Sequence, residues 1–306
     1  MPDVRATDRA GTTEGRGSPS PRHQRVAVFG GVYSNHYALS AVLDDAQAQG
    51  VDHIYCLGDV GGFGPHPNIS VQLLRDAGVP TIQGNYDDSV GNQLDDCQCG
   101  YTDPRDNHYA TLSYEYTLRN TSEAHREWFR GLPKRRSFDM GGRRVLLAHG
   151  SPRRTNEFLW ESMTPRPFIE RLLEEEGTDL IFVTHSGLPW FRFVEPGRGI
   201  VNVGAIGRPA NDGDPRVVYA VLEHLPAESM SEVGAAIENG VGTPSSEVVT
   251  GDLRVEFRRV TYDYESLANE MRSEELPEEF VETILTGWWT TCLEILPGRE
   301  RERGKY

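Results

Sequence analysis

The chain has 306 residues, enough for one large α/β domain or two small ones. Its 46 acidic residues outnumber 31 basic ones, for a formal net charge of -15. Such a surface repels polyanions, which argues against duplex nucleic acid or an anionic membrane as the main partner. A small phosphorylated molecule stays open as a partner, because one local cation can dominate a site.

Residues 1–23 are rich in Gly, Ser, Thr, Pro and Arg and almost free of large apolar side chains. They cannot bury enough surface to offset ordering entropy, so a disordered tail is expected there. That stretch also lacks the continuous apolar core of a signal peptide. No apolar run in the chain approaches the ~20 residues that span a bilayer. A soluble, cytoplasmic protein is the expectation.

A single domain is expected over 24–290. Val26-Ala27-Val28-Phe29 reads as a buried strand ending in glycine. A helix near 36–48 follows, with Leu39, Val42 and Leu43 on one face. Ile54 to Leu57 reads as the next strand. A second helix holds Leu73 and Leu74 and stops before Gly78 and Pro80. Thr81-Ile82-Gln83 reads as a third short strand. This β-α-β-α-β rhythm predicts parallel strands with right-handed crossovers. In such sheets, ligands sit beyond the carboxyl ends of the strands.

Residues 88–134 break the rhythm. A polar loop at 89–107 and helices near 108–118 and 122–131 are expected to form a cap beside the site. Cys97 and Cys99 lie in that loop. They are too close for an easy mutual bridge, and the four cysteines show no disulfide framework, so reduced thiols are expected. Strands resume at 144–148 and, after a helix near 167–175, at 180–183. Shorter strands near 191–194, 199–203, 216–222 and 253–260 suggest a second, more antiparallel sheet. A flexible loop is expected at 224–251, helix from about 263, and a charged tail over 291–306 that frays after Pro297.

Four polar residues each follow one of these apolar runs: Asp59 in Gly58-Asp59, Asn85 in Gly84-Asn85-Tyr86-Asp87, His149 in Ala148-His149-Gly150, and His185 in Thr184-His185-Ser186-Gly187. A carboxylate, an amide and two imidazoles at strand ends can converge on one cation. That donor set suits Zn, Fe or Mn better than Mg, which favours oxygen ligands.

With these fragments in view, together with His149-Gly150-Ser151-Pro152 and the run from Gly204 to Arg216, the chain resembles the calcineurin-like metallophosphoesterases. It looks nearest to their small bacterial phosphodiesterases and phosphatases. The resemblance implies an α/β fold with two mixed β-sheets in a sandwich flanked by helices. It also implies two metal ions that share a carboxylate and act on a phosphate ester. Carried over, Asp59 matches the bridging carboxylate, and Asn85, His149 and His185 match the remaining ligands of the second ion.

The chain departs from the family at the first ion. Its two ligand places on the first strand hold Gly31 and Tyr33, and its last ligand place holds Gly187. A one-residue shift of that last motif would instead put Thr184 and Ser186 in the histidine places. Tyr86 stands where the family has an acid-donating histidine. With an unperturbed pKa near ~10, a phenol is a poorer proton source. Tyr86 and Asp87 are the catalytic candidates that the resemblance implies. Tyr33, Asn35, His36 and Arg153 are candidate substrate contacts, Arg153 because guanidinium suits bidentate oxyanion binding.

The reading is a divergent phosphoester hydrolase with one retained divalent metal site. The alternatives are a catalytically silent binding or regulatory protein, and a metal enzyme turned to non-phosphate chemistry. The sequence does not give the substrate or the assembly state.

Overall fold

The computed structural model describes residues 22–225, 241–242 and 247–304. The tail expected at 1–23 therefore lies almost wholly outside the described residues, as does most of the expected 224–251 loop.

The first half contains β1 (Arg22–His23), β2 (Arg25–Phe29), α1 (His36–Ala48), β3 (His53–Cys56), α2 (Pro67–Asp76), α3 (Asn85–Asn92), α4 (Pro104–Asn120), α5 (Glu123–Arg130), β4 (Arg135–Met140) and β5 (Arg143–Ala148). The second half contains α6 (Arg166–Glu176), β6 (Leu180–Val183), β7 (Pro189–Glu195), β8 (Arg198–Val203), β9 (Val217–His224), β10 (Val241–Gly242), β11 (Glu247–Thr250), β12 (Leu253–Val260), α7 (Tyr264–Ser273), α8 (Glu278–Thr286) and α9 (Gly298–Arg303). Seven strands form one sheet in the order β1-β4-β5-β6-β8-β7-β10, and five form another in the order β11-β12-β9-β2-β3.

The two sheets are both mixed and pack face to face. Val26 and Val28 of β2, Phe138 of β4, Val145 and Leu147 of β5 and Phe182 of β6 share one buried cluster between them. Tyr55 and Phe138 stack across that interface with ring centroids 5.0 Å apart. Burying each such side chain contributes ~1.5–3 kcal/mol, so this layer is a main source of stability. The outer face of the five-stranded sheet is covered by α1, α2, α7 and α8, through Leu39, Val42, Leu74, Leu267 and Val281. The outer face of the other sheet is covered by α6, through Ile169, Leu172 and Leu173. The result is the expected helix-flanked α/β sandwich.

Helix starts follow local chemistry. Asn35 caps α1 by accepting the Ala38 N–H at 2.9 Å. Proline opens α2 and α4, where its missing N–H costs nothing. Parallel pairs β2·β3, β5·β6 and β6·β8 point their carboxyl ends to one end of the sandwich. Loops from both sheets meet there. Gly31 N–H donates to the Gly58 carbonyl, Gly207 N–H to the Gly31 carbonyl and Thr184 N–H to the His149 carbonyl.

Several expectations need correction. Thr81-Ile82-Gln83 is not a strand: only Thr81 bridges to Cys56. The strands at 189–195 and 198–203 extend the first sheet, whereas those at 217–224 and 253–260 flank β2 in the other. Of the four expected strands, only those at 217–224 and 253–260 lie in a mostly antiparallel sheet. β4 was not anticipated. The expected 89–107 loop begins as helix, since α3 runs to Asn92. The loop expected to Gly251 contains β11 at its end. The charged stretch after Pro297 is not frayed: α9 docks through Glu300, whose carboxylate accepts from Ser162 N–H at 2.8 Å and Ser162 Oγ–H at 2.6 Å. No helix among the described residues is long and apolar enough to cross a membrane.

Candidate metal centre

Asp59 sits just past β3 with φ 53°, in the left-handed region that few non-glycine residues occupy. Asp87, in the first turn of α3, holds it there. The Asp87 carboxylate accepts N–H bonds from Asp59 at 2.8 Å, Val60 at 2.9 Å and Gly84 at 2.8 Å. Asp59 Oδ1 in turn accepts the Tyr86 N–H at 3.0 Å. Gly84 permits this approach. A Cβ there would lie 2.2 Å from Asp59 Oδ1 and 2.9 Å from His149 Cε1.

His149 follows β5. Its Nε2 lies 3.2 Å from Asp59 Oδ2. His185 follows β6 with φ 52°, its ring 5.3 Å from that of His149 and 4.3 Å from that of Phe158. Asn85 opens α3. Its Nδ2 donates to the Cys97 carbonyl at 2.8 Å, which turns Oδ1 the other way.

Asp59, His149 and His185 are buried, and they offer ligand atoms all within 4.8 Å of one another. Asn85 Oδ1 and both ring nitrogens of His185 are buried without hydrogen-bond partners, and His149 Nε2 faces only the Asp59 carboxylate. Orphaned buried polar atoms are costly, and here they are lone-pair donors around one carboxylate. That is the donor chemistry a divalent ion satisfies. This buried Asp/His/His group can hold a metal, and the residues present fit one.

The charges of the cluster bias one another. Burial opposes charge on Asp59, but the adjacent His149 and then His185 outweigh it and hold its carboxyl below the usual range. Burial also pulls His149 down, yet the Asp59 carboxylate wins and raises it. Burial, reinforced by His149, pushes His185 down to about 3, so its imidazole is neutral at physiological pH.

Tyr33, Phe63, Tyr86, Tyr101, Arg208 and Phe280 wall a cavity of about 50 Å³ into which Asp59, Asn85 and His185 also face. Residues Tyr109, Ala110 and Ser113 of α4 complete one side. Of the candidate substrate contacts, Tyr33 is in this wall. The other three are elsewhere. Asn35 is used as a cap and as a donor to the Gly207 carbonyl at 3.2 Å. His36 packs against Tyr37 and lies 3.7 Å from Glu270. Arg153 pairs with Glu157 and stacks over Phe168, along an open groove on the far side of Asn85.

The two catalytic candidates both have structural partners. Asp87 spends its carboxylate on three backbone donors and is a backbone clamp. Burial and the Asp59 charge push its carboxyl up. The Tyr86 hydroxyl donates to Ser113 Oγ at 2.9 Å, and burial raises its pKa further. Both Asp87 carboxylate oxygens are thus engaged by backbone N–H groups, and the Tyr86 proton is engaged by Ser113.

Sequence reasoning missed Arg208 and Tyr101. Arg208 lies inside the Gly204–Arg216 run, but its burial depends on Trp289, far along the chain. The structure also joins Cys97 and Cys99 in a disulfide, against the expectation of free thiols.

Comparison with known proteins fits this geometry. The chain is 25% identical over 276 residues to the uncharacterized protein MJ0912 of Methanocaldococcus jannaschii, covering 86% of this chain and 98% of that one. It is similar to the crystal structure of a metallophosphoesterase from Sphaerobacter thermophilus, with 27% identity, a TM-score of 0.60, and coverage of 87% and 99% of the two chains. The hypothetical protein PH1004 from Pyrococcus horikoshii OT3 shares the fold at a TM-score of 0.66 and 20% identity, with the same coverage. A family model for the calcineurin-like phosphoesterase superfamily domain matches residues 25–225, which is most of the sandwich, and the chain belongs to that superfamily.

Proposed function

We propose that the protein is a phosphoester hydrolase that works with a single divalent ion, held by Asp59, Asn85, His149 and His185. The observation that carries this reading is the buried cluster of ligand atoms on His149 and His185 around the Asp59 carboxylate, with the unpartnered Asn85 Oδ1 and His185 nitrogens beside it. Nitrogen and oxygen donors in this ratio favour Zn, Fe or Mn over Mg. Such an ion, when bound, lowers the pKa of water and neutralises phosphoryl charge.

The chain's own residues do the rest. His149 is oriented by the Leu57 carbonyl, and Asn85 by the Cys97 carbonyl. The aromatic wall excludes bulk water, which strengthens charge interactions inside. In a two-ion arrangement of this family, Gly31, Tyr33 and Gly187 would stand at ligand places. A glycine has no ligand to give. The Tyr33 ring lies against Gly31, where an added Cβ would be 3.0 Å from its Cζ. This supports one retained ion.

The substrate is a small phosphate ester with a good leaving group, because the buried Tyr86 hydroxyl is committed to Ser113. The same observation favours a second reading, a metal- or phosphate-binding protein without turnover. The test is metal analysis of the purified protein, followed by assay on generic phosphomonoesters and phosphodiesters, with Asp59→Ala as control. Metal together with Asp59-dependent turnover supports the hydrolase. Binding of metal or phosphate without turnover supports the second reading. A protein that takes up no metal from Zn, Fe or Mn would rule out the metal-based mechanism.

A further inference from the structure

Arg208 is a buried cation with no counter-ion among the described residues. It is 5% exposed. Its guanidinium carbon stands 3.5 Å from the Trp289 ring centroid and 5.7 Å from that of Tyr33. Its Nε has no hydrogen-bond partner, no ion pair to it forms among the described residues, and the Cys292 thiol is a polar neighbour of the guanidinium. Burying a guanidinium in this way carries a large desolvation cost, which stacking on aromatic faces offsets only in part.

The surroundings fix this arginine in place. Trp289 donates its indole N–H to the Pro209 carbonyl at 2.7 Å and its backbone N–H to Asn211 Oδ1 at 2.8 Å. The stacking platform is thereby tied to the loop that carries Arg208. Gly187 makes the space. A Cβ there would lie 3.2 Å from both Arg208 Nη2 and Trp289 Cη2. The guanidinium faces the same cavity as Asp59, Asn85 and His185.

We propose that Arg208 forms an oxyanion subsite that grips the substrate's phosphoryl group beside the metal cage. This deepens the hydrolase reading and rests on it for the identity of the anion. With a divalent ion in the cage, ion and guanidinium together outweigh the single Asp59 carboxylate, and the cavity becomes net positive. A planar fork of N–H donors matches two phosphoryl oxygens. At ~10–15 Å³ per water, a cavity of about 50 Å³ holds roughly three to five waters, or one compact tetrahedral oxyanion. The ester's organic part then lies against the aromatic wall or outside it.

The experiment is calorimetric titration of inorganic phosphate into the full chain. Wild type, Arg208→Gln and Arg208→Lys are compared, each with its metal content and melting temperature measured. The same three are repeated in an Asp59→Asn background stripped of metal. The expected result is unchanged metal content and a roughly ten- to hundredfold loss of phosphate affinity in Arg208→Gln. Arg208→Lys, which keeps charge but loses the fork, falls between. Phosphate affinity within twofold of wild type in either folded variant overturns the proposal. So does a wild type that binds no phosphate with or without metal. If Arg208→Gln does not fold, Arg208→Lys decides. If wild type binds no metal, the hydrolase reading fails separately, while the stripped series still decides for or against Arg208.

Discussion

The Leu57 carbonyl oxygen lies 2.6 Å from Nδ1 of His149. A carbonyl only accepts, so Nδ1 carries the proton and Nε2 is the face turned to Asp59. The end of one sheet thus sets the tautomer of a residue on the other. Orienting bonds of this kind are worth 10–100-fold in metal affinity at sites where they have been removed.

The first prediction concerns metal uptake. Asp59→Asn and His149→Ala should each reduce bound metal from about one ion per chain to near none, as read by elemental analysis. Chelation of wild type should lower the melting temperature by several degrees, because an ion that binds only the folded state stabilises it by mass action. The two variants should melt near the chelated wild type and show no further response to chelator.

Gly84→Ala is the second. The new methyl would sit 2.2 Å from Asp59 Oδ1 and 2.5 Å from Asp59 N. Overpacking of this kind costs ~1–3 kcal/mol. The variant should fold with a lowered denaturant midpoint and bind metal far more weakly than wild type. Wild-type metal affinity in a folded Gly84→Ala protein would contradict the tight fit between Gly84 and the carboxylate.

The third separates structure from chemistry at Tyr86. Its hydroxyl donates to Ser113 Oγ, which also accepts the Phe63 N–H at 2.7 Å. Tyr86→Phe should therefore cost about 1 kcal/mol of stability through the lost bond. It should change kcat by less than the ~10²–10⁴ that general acid catalysis supplies. A loss within that range, confined to substrates with poor leaving groups, would restore Tyr86 as the proton donor.

Much of this was legible in the sequence, for physical reasons. Val26 to Phe29 and Leu180 to Val183 are continuous apolar runs because both faces of their strands are buried. Asp59, Asn85, His149 and His185 stood out because each follows such a run directly or one loop later. What failed depended on partners distant in sequence. β4 reads as polar, with only Phe138 and Met140 turned inward. The Asp87 carboxylate is consumed mainly by the N–H groups of Asp59 and Val60, distant in sequence, whereas Asn35 is consumed by a local helix cap and by Gly207 across the fold. The burial of Arg208 comes from Trp289, some eighty residues further along the chain, so no local pattern marks it.

The last prediction concerns acid stability away from the site. Asp45 of α1 accepts from Arg258 Nε of β12 at 2.9 Å and from the Tyr219 hydroxyl of β9 at 2.6 Å. This ties the helix layer to the five-stranded sheet. Arg258, opposed by burial and assisted by Tyr219, holds the Asp45 carboxyl below its ordinary value. A folded pKa below the unfolded one, ~3.9, means that unfolding takes up protons. The contribution is therefore fully present above about pH 4 and is lost as pH falls through the folded value. The Asp45 side chain is 27% exposed, so screening keeps the effect modest. Asp45→Asn should melt a few degrees below wild type at pH 6, and the gap should close as the pH is lowered to 3. A gap that stays constant over that range would mean that the carboxylate charge contributes nothing and that only the hydrogen bonds, which an amide partly keeps, join the two layers.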